Sequence, residues 1–263
     1  MIYHDLESIS LSKPYRASNE LTYLKESLDS GHVSSLGVFS QKCESWFEQH
    51  LSCSRALMTH SCTAALEMVA LLIETQPGDE IILPSFTFVS TANAFALRGA
   101  SLKFADSLPN HPNVDPASII SLISSRTKAI VVVHYAGMAV DMDSLLVICR
   151  EKNIFLIEDA AQGMHSHYKN KPVGTIGDFA TFSFHETKPI SCGEGGMLII
   201  NRPEYIPLAE KILEKGTNKI EFKRGGVQSY EWNCLGSSFA ASQLQAAVLL
   251  AQLEEVDMIF EIR

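Results

Sequence analysis

The sequence predicts an α/β domain whose central sheet is largely parallel and is covered by helices on both faces. Short apolar runs alternate along the chain with longer amphipathic stretches. The apolar runs are rich in Ile, Val and Leu and alternate little with polar residues, as expected for strands buried on both faces. The stretches between them are long enough to be the crossover helices that join parallel strands.

Taken in chain order, these runs and stretches give a specific set of elements. Strands are predicted at Arg55–Met58, Glu80–Leu83, Ser101–Ala105, Ala129–Val133, Ile154–Ile157, Ala180–Phe184 and Gly196–Ile200. Helices are predicted at Cys62–Glu74, Thr87–Leu97, Pro116–Ile123, Met142–Lys152, Ile206–Lys215 and Ser242–Arg263. Ligands of such sheets bind beyond the carboxyl ends of the strands, so the polar residues that follow each strand are the candidates for chemistry.

Composition excludes several classes of function. The 263 residues are 46% hydrophobic and 19% charged, which predicts one large globular domain, or one domain plus a fragment of another. The net charge of -9 argues against nucleic acid or an anionic membrane as a partner. The six cysteines are scattered without metal-ligand spacing, which predicts reduced thiols and no metal site. Met1–Ser12 lacks a signal-peptide pattern and no apolar run could span a membrane, so a cytoplasmic protein is expected.

Lys188 is the first candidate for chemistry. The segment FATFSFHETKPISCGEGG places it just after a predicted strand, and Pro189 steers its backbone away from helix. A lysine at a strand end can be desolvated, and a desolvated amine forms Schiff bases with carbonyl groups. Taken alone, an exposed loop lysine is the simpler interpretation.

Asp159 is the second candidate, in the segment IFLIEDAAQ. The predicted strand Ile154–Ile157 runs into Glu158 and Asp159, and a carboxylate at this place can hold the protonated nitrogen of a pyridine ring. A helix N-cap aspartate is an equally good interpretation of the residue by itself.

Two further segments suggest groups that would hold such a ring. In THSCTAALEM, the Ser61 and Thr63 hydroxyls open a predicted helix, whose free N–H groups can cradle a phosphate. Ordinary helix capping is the alternative. In PSFTFVSTANA, Phe86 follows a strand end and can stack on a ring, although a core phenylalanine is the alternative. A phosphate cradle, a stacking ring, a carboxylate and a lysine, in this order, indicate pyridoxal 5'-phosphate.

Together these segments resemble the sugar aminotransferases of the DegT/DnrJ/EryC1/StrS family, and within it the branch that makes dTDP-4-amino-4,6-dideoxygalactose. The resemblance rests on the stretches PGDEIILPSFTFVSTANAFALRGA, VHYAG, EDAAQG, GTIGDFATFSFHETK and GEGG, which occur in this order. It covers nearly the whole chain. It implies the aspartate aminotransferase fold (fold type I) of pyridoxal-phosphate enzymes, in which residues 1–241 form a large domain with a mostly parallel, mixed sheet.

The resemblance also implies roles for individual residues. Lys188 is implied as the lysine that holds the cofactor and Asp159 as the partner of its pyridine nitrogen, and both would be catalytic. Phe86 would stack on the ring, with Gln162 beside it. The residues implied to bind the phosphate are Ser61, Cys62, Thr63 and Ser183.

Three more positions are assigned by resemblance alone. His185 is implied to orient the lysine or the substrate. Ser238 stands where many relatives have an asparagine that reaches the cofactor phosphate of the neighbouring subunit, which implies a homodimer. Gln243 stands where an aspartate is usual, and this is a departure from the family pattern.

The implied reaction moves an amino group from L-glutamate to the 4-keto group of a nucleotide-linked 6-deoxyhexose. In the branch named above, the substrate is dTDP-4-dehydro-6-deoxy-D-glucose. Some relatives have histidine in place of the lysine and are dehydratases, so Lys188 favours amino transfer. Two alternatives stay open: a non-catalytic remnant of such an enzyme, and a pyridoxal-phosphate enzyme of another reaction type.

The chain is shorter than its relatives, which continue after the helix 242–263. The resemblance therefore implies that most of a small C-terminal domain is missing. Its loss is expected to expose the apolar face formed by Leu244, Val248, Leu249 and Leu253 unless another chain covers it.

Overall fold

A seven-stranded sheet forms the centre of the computed structural model, which describes residues 12–263. Met1–Leu11 lie outside the described residues, and with them most of the segment tested for a signal peptide. The strands of the sheet and of a separate small hairpin are β1 (Arg55–Thr59), β2 (Glu80–Pro84), β3 (Ser101–Ala105), β4 (Thr127–Val133), β5 (Phe155–Asp159), β6 (His167–Tyr168), β7 (Lys171–Pro172), β8 (Phe179–Ser183) and β9 (Gly196–Ile200). The helices are α1 (Glu20–Asp29), α2 (Val38–Leu51), α3 (Cys62–Leu72), α4 (Val89–Ala96), α5 (Pro116–Leu122), α6 (Asp143–Lys152), α7 (Ile206–Leu213), α8 (Lys219–Lys223), α9 (Gln243–Glu254) and α10 (Val256–Ile262).

The strand order is β1-β9-β8-β5-β4-β2-β3, and β9 alone runs against its neighbours. This confirms the predicted mixed, mostly parallel sheet. In the register, Gly196 at the start of β9 lies between Thr59 at the end of β1 and Ser183 at the end of β8. Val133 and Asp159 pair at the ends of β4 and β5. Four of these strands, β1, β5, β8 and β9, therefore bring a polar or small residue to one edge of the sheet.

Both faces of the sheet are buried, as the unbroken apolar runs predict. Leu57 and Leu198 join the apolar cluster on the side of α3 and α7. Their neighbours Met58 and Met197 point to the opposite face, where they join the cluster on the side of α2 and α9. No helix within residues 12–263 is long and apolar enough to cross a membrane.

The strand predictions match the structure closely, with one difference that matters. β5 ends at Asp159 rather than at Ile157 because Glu158 and Asp159 continue the pairing with Val132 and Val133 of β4. Apolar content alone could not indicate this.

The predicted helix Ser242–Arg263 is wrong, because two helices meet at Glu255. The backbone of Glu255 leaves the helical region, with φ -111° and ψ 18°. Its carboxylate accepts hydrogen bonds from the Tyr15 hydroxyl at 2.8 Å and from the Ser18 backbone N–H at 2.9 Å. Contacts with the first described residues therefore coincide with the break.

The expected exposure of an apolar face on α9 is also wrong. Leu249 and Leu253 are buried, and Leu244 and Val248 are half-buried. The covering elements are α1 and α2, which belong to this chain and were not predicted.

Candidate active site

Asp159 ends β5 as a buried carboxylate, only 5% exposed. Its Oδ2 accepts a hydrogen bond from the Thr91 hydroxyl at 2.7 Å, and its Oδ1 accepts one from the Ala161 backbone N–H at 3.1 Å. Burial raises the pKa of Asp159 above its usual value, while these two hydrogen bonds and the nearby charge of Lys188 oppose that rise. A carboxylate in this setting gains from a cationic partner placed against it.

Lys188 lies half-buried in the loop 184–195, which joins β8 to β9. The loop continues the antiparallel pairing of these strands through hydrogen bonds from Phe184 N to Gly195 O and from Cys192 N to Phe184 O. Desolvation raises the pKa of Asp159 and of the half-buried Cys62 thiol, and the positive charge of Lys188 counteracts both rises. The structure thus brings together the predicted lysine, the predicted carboxylate and the start of α3.

The start of α3 packs directly on the start of β9. A Cβ at Gly196 would lie 2.4 Å from the carbonyl carbon of Ser61, so only glycine fits this approach. The Ser61 hydroxyl accepts from the Ala64 N–H at 3.1 Å, so the capping interpretation of that side chain is correct. The first N–H groups of a helix nevertheless have no acceptor within it, and the start of α3 lies against Gly196, which pairs with Ser183 at the end of β8.

Hydroxyl and thiol contacts fix the other residues of this cradle. The Cys62 thiol donates to the Thr181 hydroxyl at 3.4 Å, and the Thr63 hydroxyl lies 2.8 Å from that of Ser90 in the first turn of α4. The predicted phosphate-binding residues therefore gather at one place.

Phe86 follows β2 and is 49% exposed, so the alternative of a core phenylalanine is wrong. Its ring lies 4.8 Å from that of Tyr135, tilted by 49°. Gln162 is attached to the same turn, because its Oε1 accepts from the Ala136 N–H at 2.6 Å. The rings of Phe86 and Tyr135 form an aromatic platform next to the end of β5, and Gln162 lies beside it.

His185 lies within the lysine loop. Its Nδ1 is 2.9 Å from the Thr187 hydroxyl and its Nε2 is 3.5 Å from the Glu194 carboxylate. Both ring nitrogens therefore contact residues of the loop that carries Lys188. Ser238 has an exposed side chain and a backbone bridge to Glu214.

Gln243 is buried and fastens the start of α9 to the start of α2. Its Oε1 accepts from the Phe39 N–H at 2.9 Å and its Nε2 donates to the Ser40 hydroxyl at 3.0 Å. Gln243, the residue that departs from the family pattern, therefore makes a packing contact within the chain.

Thr91 and His134 are the residues of this site that the sequence did not identify. Thr91 lies inside the quoted segment PSFTFVSTANA, but its contact with Asp159 depends on how α4 crosses the end of β5. His134 follows β4 in the quoted segment VHYAG, and its Nε2 lies 2.9 Å from a carboxylate oxygen of Glu158. The position just after a strand end was the available signal for His134, whereas Thr91, inside α4, offered none.

The residues present fit pyridoxal 5'-phosphate. A buried carboxylate suits a protonated pyridine nitrogen, and the glycine-backed start of α3 suits a phosphate. An exposed aromatic platform suits the ring face. Within residues 12–263, no group of three or more His, Cys, Asp or Glu side chains is placed to hold a metal ion.

Comparison with known proteins supports the same conclusion. The model of the DegT/DnrJ/EryC1/StrS aminotransferase family matches residues 14–263. GDP-perosamine synthase of Caulobacter vibrioides is 37% identical over 254 residues, which make up 96% of this chain and 66% of that protein. The spore coat polysaccharide biosynthesis protein SpsC of Bacillus subtilis is 36% identical over 94% of this chain and 64% of its own length.

A solved structure gives the same picture. The aminotransferase TlmJ from Streptoalloteichus hindustanus superposes with a TM-score of 0.88 at 30% identity, covering 95% of this chain and 67% of that one. This chain spans about two thirds of the length of the curated relatives that it matches. The predicted fold is confirmed, as is the cofactor, since the matching family is pyridoxal-phosphate-dependent. By its sequence and its fold, the chain belongs to the DegT/DnrJ/EryC1/StrS aminotransferase family.

Proposed function

We propose that this chain is the cofactor-binding part of a sugar-nucleotide aminotransferase. The observation that carries the proposal is the convergence of Asp159, Lys188 and the start of α3 at one edge of the sheet. When bound there, pyridoxal 5'-phosphate supplies an electron sink that stabilises negative charge on the carbon that gains or loses the amino group.

The residues of the chain then have distinct tasks. The Asp159 carboxylate keeps a proton on the pyridine nitrogen, which maintains the electron sink. Lys188 would hold the cofactor through Nζ, and its amine would carry a proton to and from the reacting carbon. Phe86 packs on the ring face, with Gln162 beside it, so that the ring cannot tilt.

The phosphate is bound by the N–H groups of Cys62 and Thr63 at the start of α3 and by the hydroxyls of the cradle, with the positive end of the helix dipole adding attraction. His185 orders the loop that carries Lys188. The side chain of Ser238 is exposed, and the resemblance in sequence favours its reaching the cofactor phosphate of a neighbouring subunit in a homodimer.

L-Glutamate is the proposed amino donor, and the 4-keto group of a nucleotide-linked 6-deoxyhexose is the proposed acceptor, in the cytoplasmic synthesis of a bacterial surface polysaccharide. The resemblance in sequence favours a dTDP sugar, dTDP-4-dehydro-6-deoxy-D-glucose. Two of the relatives above support a sugar pathway through their names, one of them with GDP as the nucleotide.

The test is a titration of the purified chain with pyridoxal 5'-phosphate followed by visible absorbance. A new band is expected, borohydride should fix the cofactor onto Lys188 as found by mass spectrometry, and L-glutamate should bleach the band. Lys188→Ala should show no fixed cofactor, whereas Lys169→Ala, a change at an exposed lysine of the β6–β7 hairpin, should behave as the wild type.

After bleaching, the dTDP and GDP forms of a 4-keto-6-deoxyhexose are added separately. Return of the band with one of them identifies the nucleotide. A chain that never develops the band contradicts the proposal. A band that glutamate leaves unchanged favours a non-catalytic remnant or a pyridoxal-phosphate enzyme of another reaction type.

A further inference from the structure

Glu158 is a fully buried carboxylate next to Asp159 that the proposed reaction does not use. Its Oε2 contacts His134 Nε2 at 2.9 Å and accepts from the Gly174 N–H at 2.8 Å. Its Oε1 accepts from the N–H groups of Ile176 at 2.8 Å and Gly177 at 2.7 Å. Three backbone N–H groups donate to the side chain, so both of its oxygens act as acceptors.

The fourth contact is also a donation to Glu158. His134 Nδ1 accepts from the Val140 backbone N–H at 3.2 Å, so Nδ1 carries no proton. The proton of the imidazole is therefore on Nε2, where it is donated to Glu158. Every hydrogen-bonding atom of this buried pair has a defined partner.

The pair connects three parts of the candidate site. Glu158 holds the turn 174–177, which leads into β8 and from there to the loop of Lys188. His134 starts the turn that carries Tyr135 of the aromatic platform, and its backbone N–H donates to the Asp159 carbonyl at 3.2 Å. Because Glu158 and Asp159 are consecutive in β5, a displacement of the strand backbone at Glu158 also moves Asp159.

We propose that Glu158, acting through His134, is a positioning residue. It holds Asp159 and the aromatic platform in the geometry that the cofactor requires. It does not touch the ring itself. The inference rests on the proposed function only in that the site binds pyridoxal 5'-phosphate.

Glu158→Gln is the direct test. Either orientation of the amide places its NH2 group against two donors, because each oxygen of Glu158 faces two of them. Affinity for pyridoxal 5'-phosphate is expected to fall at least tenfold, with a shift in the pH dependence of the visible band and faster hydrogen exchange of the amides in 134–140.

Glu80→Gln is the matched control. Glu80 is also a buried strand carboxylate, 2% exposed, and accepts hydrogen bonds from Ser124 and Arg126, each at 2.6 Å. It lies at the first residue of β2, at the opposite edge of the sheet from Asp159. The Glu80→Gln substitution is expected to lower thermal stability and to leave cofactor affinity and the visible band unchanged.

A second pair of variants tests the inference if Glu158→Gln does not fold. His134→Gln keeps a donor near the position of Nε2, whereas His134→Asn keeps only the acceptor near the position of Nδ1. Cofactor affinity is expected to be retained better in His134→Gln.

Two results would overturn the inference. One is that Glu158→Gln loses stability like Glu80→Gln but keeps wild-type cofactor affinity and band. The other is that the two His134 variants bind the cofactor equally. A wild-type chain that does not bind pyridoxal 5'-phosphate defeats the inference and the proposed function together, whereas a band that glutamate cannot bleach defeats only the proposed reaction.

Discussion

Thr91→Val should weaken cofactor binding while leaving the fold intact. Thr91 is fully buried and its hydroxyl donates its one proton to Asp159 at 2.7 Å. The Thr87 hydroxyl, 2.8 Å away, therefore donates to Thr91. Valine has nearly the shape of threonine, so the substitution removes the hydrogen bond and leaves the volume almost unchanged.

The magnitude follows from the charge on the acceptor. A hydrogen bond to a charged group contributes about 1.5–3 kcal/mol. At about 1.4 kcal/mol for each factor of ten, the affinity for pyridoxal 5'-phosphate should fall roughly ten- to hundredfold. Burial already raises the pKa of Asp159, and loss of the Thr91 donor raises it further. The acid side of the pH profile of cofactor binding should therefore move to higher pH.

The assay is a titration with pyridoxal 5'-phosphate across a pH series, comparing wild type, Thr91→Val and Thr91→Ser. Serine keeps the hydroxyl and should restore most of the affinity. The reasoning is refuted if Thr91→Val binds as tightly as the wild type, or if serine and valine weaken binding equally.

Three other substitutions have clear expectations. Gly196→Ala should destabilise the protein by about 3 kcal/mol, because its Cβ would lie 2.4 Å from the Ser61 carbonyl carbon; an unchanged urea midpoint would contradict this. Thr75→Val should raise stability by about 1 kcal/mol, since the buried Thr75 hydroxyl has no partner among the described residues; a lowered melting temperature would argue against it. Burial opposes ionisation of Glu214, but the hydrogen bond from Lys219 at 2.7 Å and its charge hold the pKa of Glu214 below its usual value. The contribution of ionised Glu214 to the free energy of unfolding is complete above about pH 4.5 and is lost as the pH falls through the lower folded-state pKa. Glu214→Gln should therefore flatten the acid part of a profile of urea stability against pH.

The strands were predictable because apolar content decides them. Each run of Ile, Val and Leu became a strand of the central sheet, and the polar residues after these strands lie at one edge, as the parallel arrangement requires. Lys188 and Asp159 could thus be proposed as neighbours before their distance in space was known. Their individual roles stay predictions until cofactor binding is measured.

Features that depend on strand order or on distant packing were not predictable. The fit of Gly196 against Ser61 arises because β9 inserts beside β1, which no local pattern indicates. The contact of Thr91 with Asp159 depends on the path of α4 over β5. The break at Glu255 coincides with contacts made by residues more than 200 positions earlier in the chain.

The reversed direction of β9 determines how freely the lysine can move. A parallel return from β8 would need a crossover that carries the chain over the face of the sheet to the other end of the strands. Because β9 is antiparallel, the chain leaves and re-enters the sheet at the same end of the strands, and Lys188 sits on a tether, the loop 184–195, that is fixed at both ends. Such a tether gives the amine a high effective concentration at the site at little cost in loop-closure entropy. Lengthening the loop 184–195 with glycines should therefore lower the effective concentration of the Lys188 amine at the site, while every strand of the sheet keeps its register.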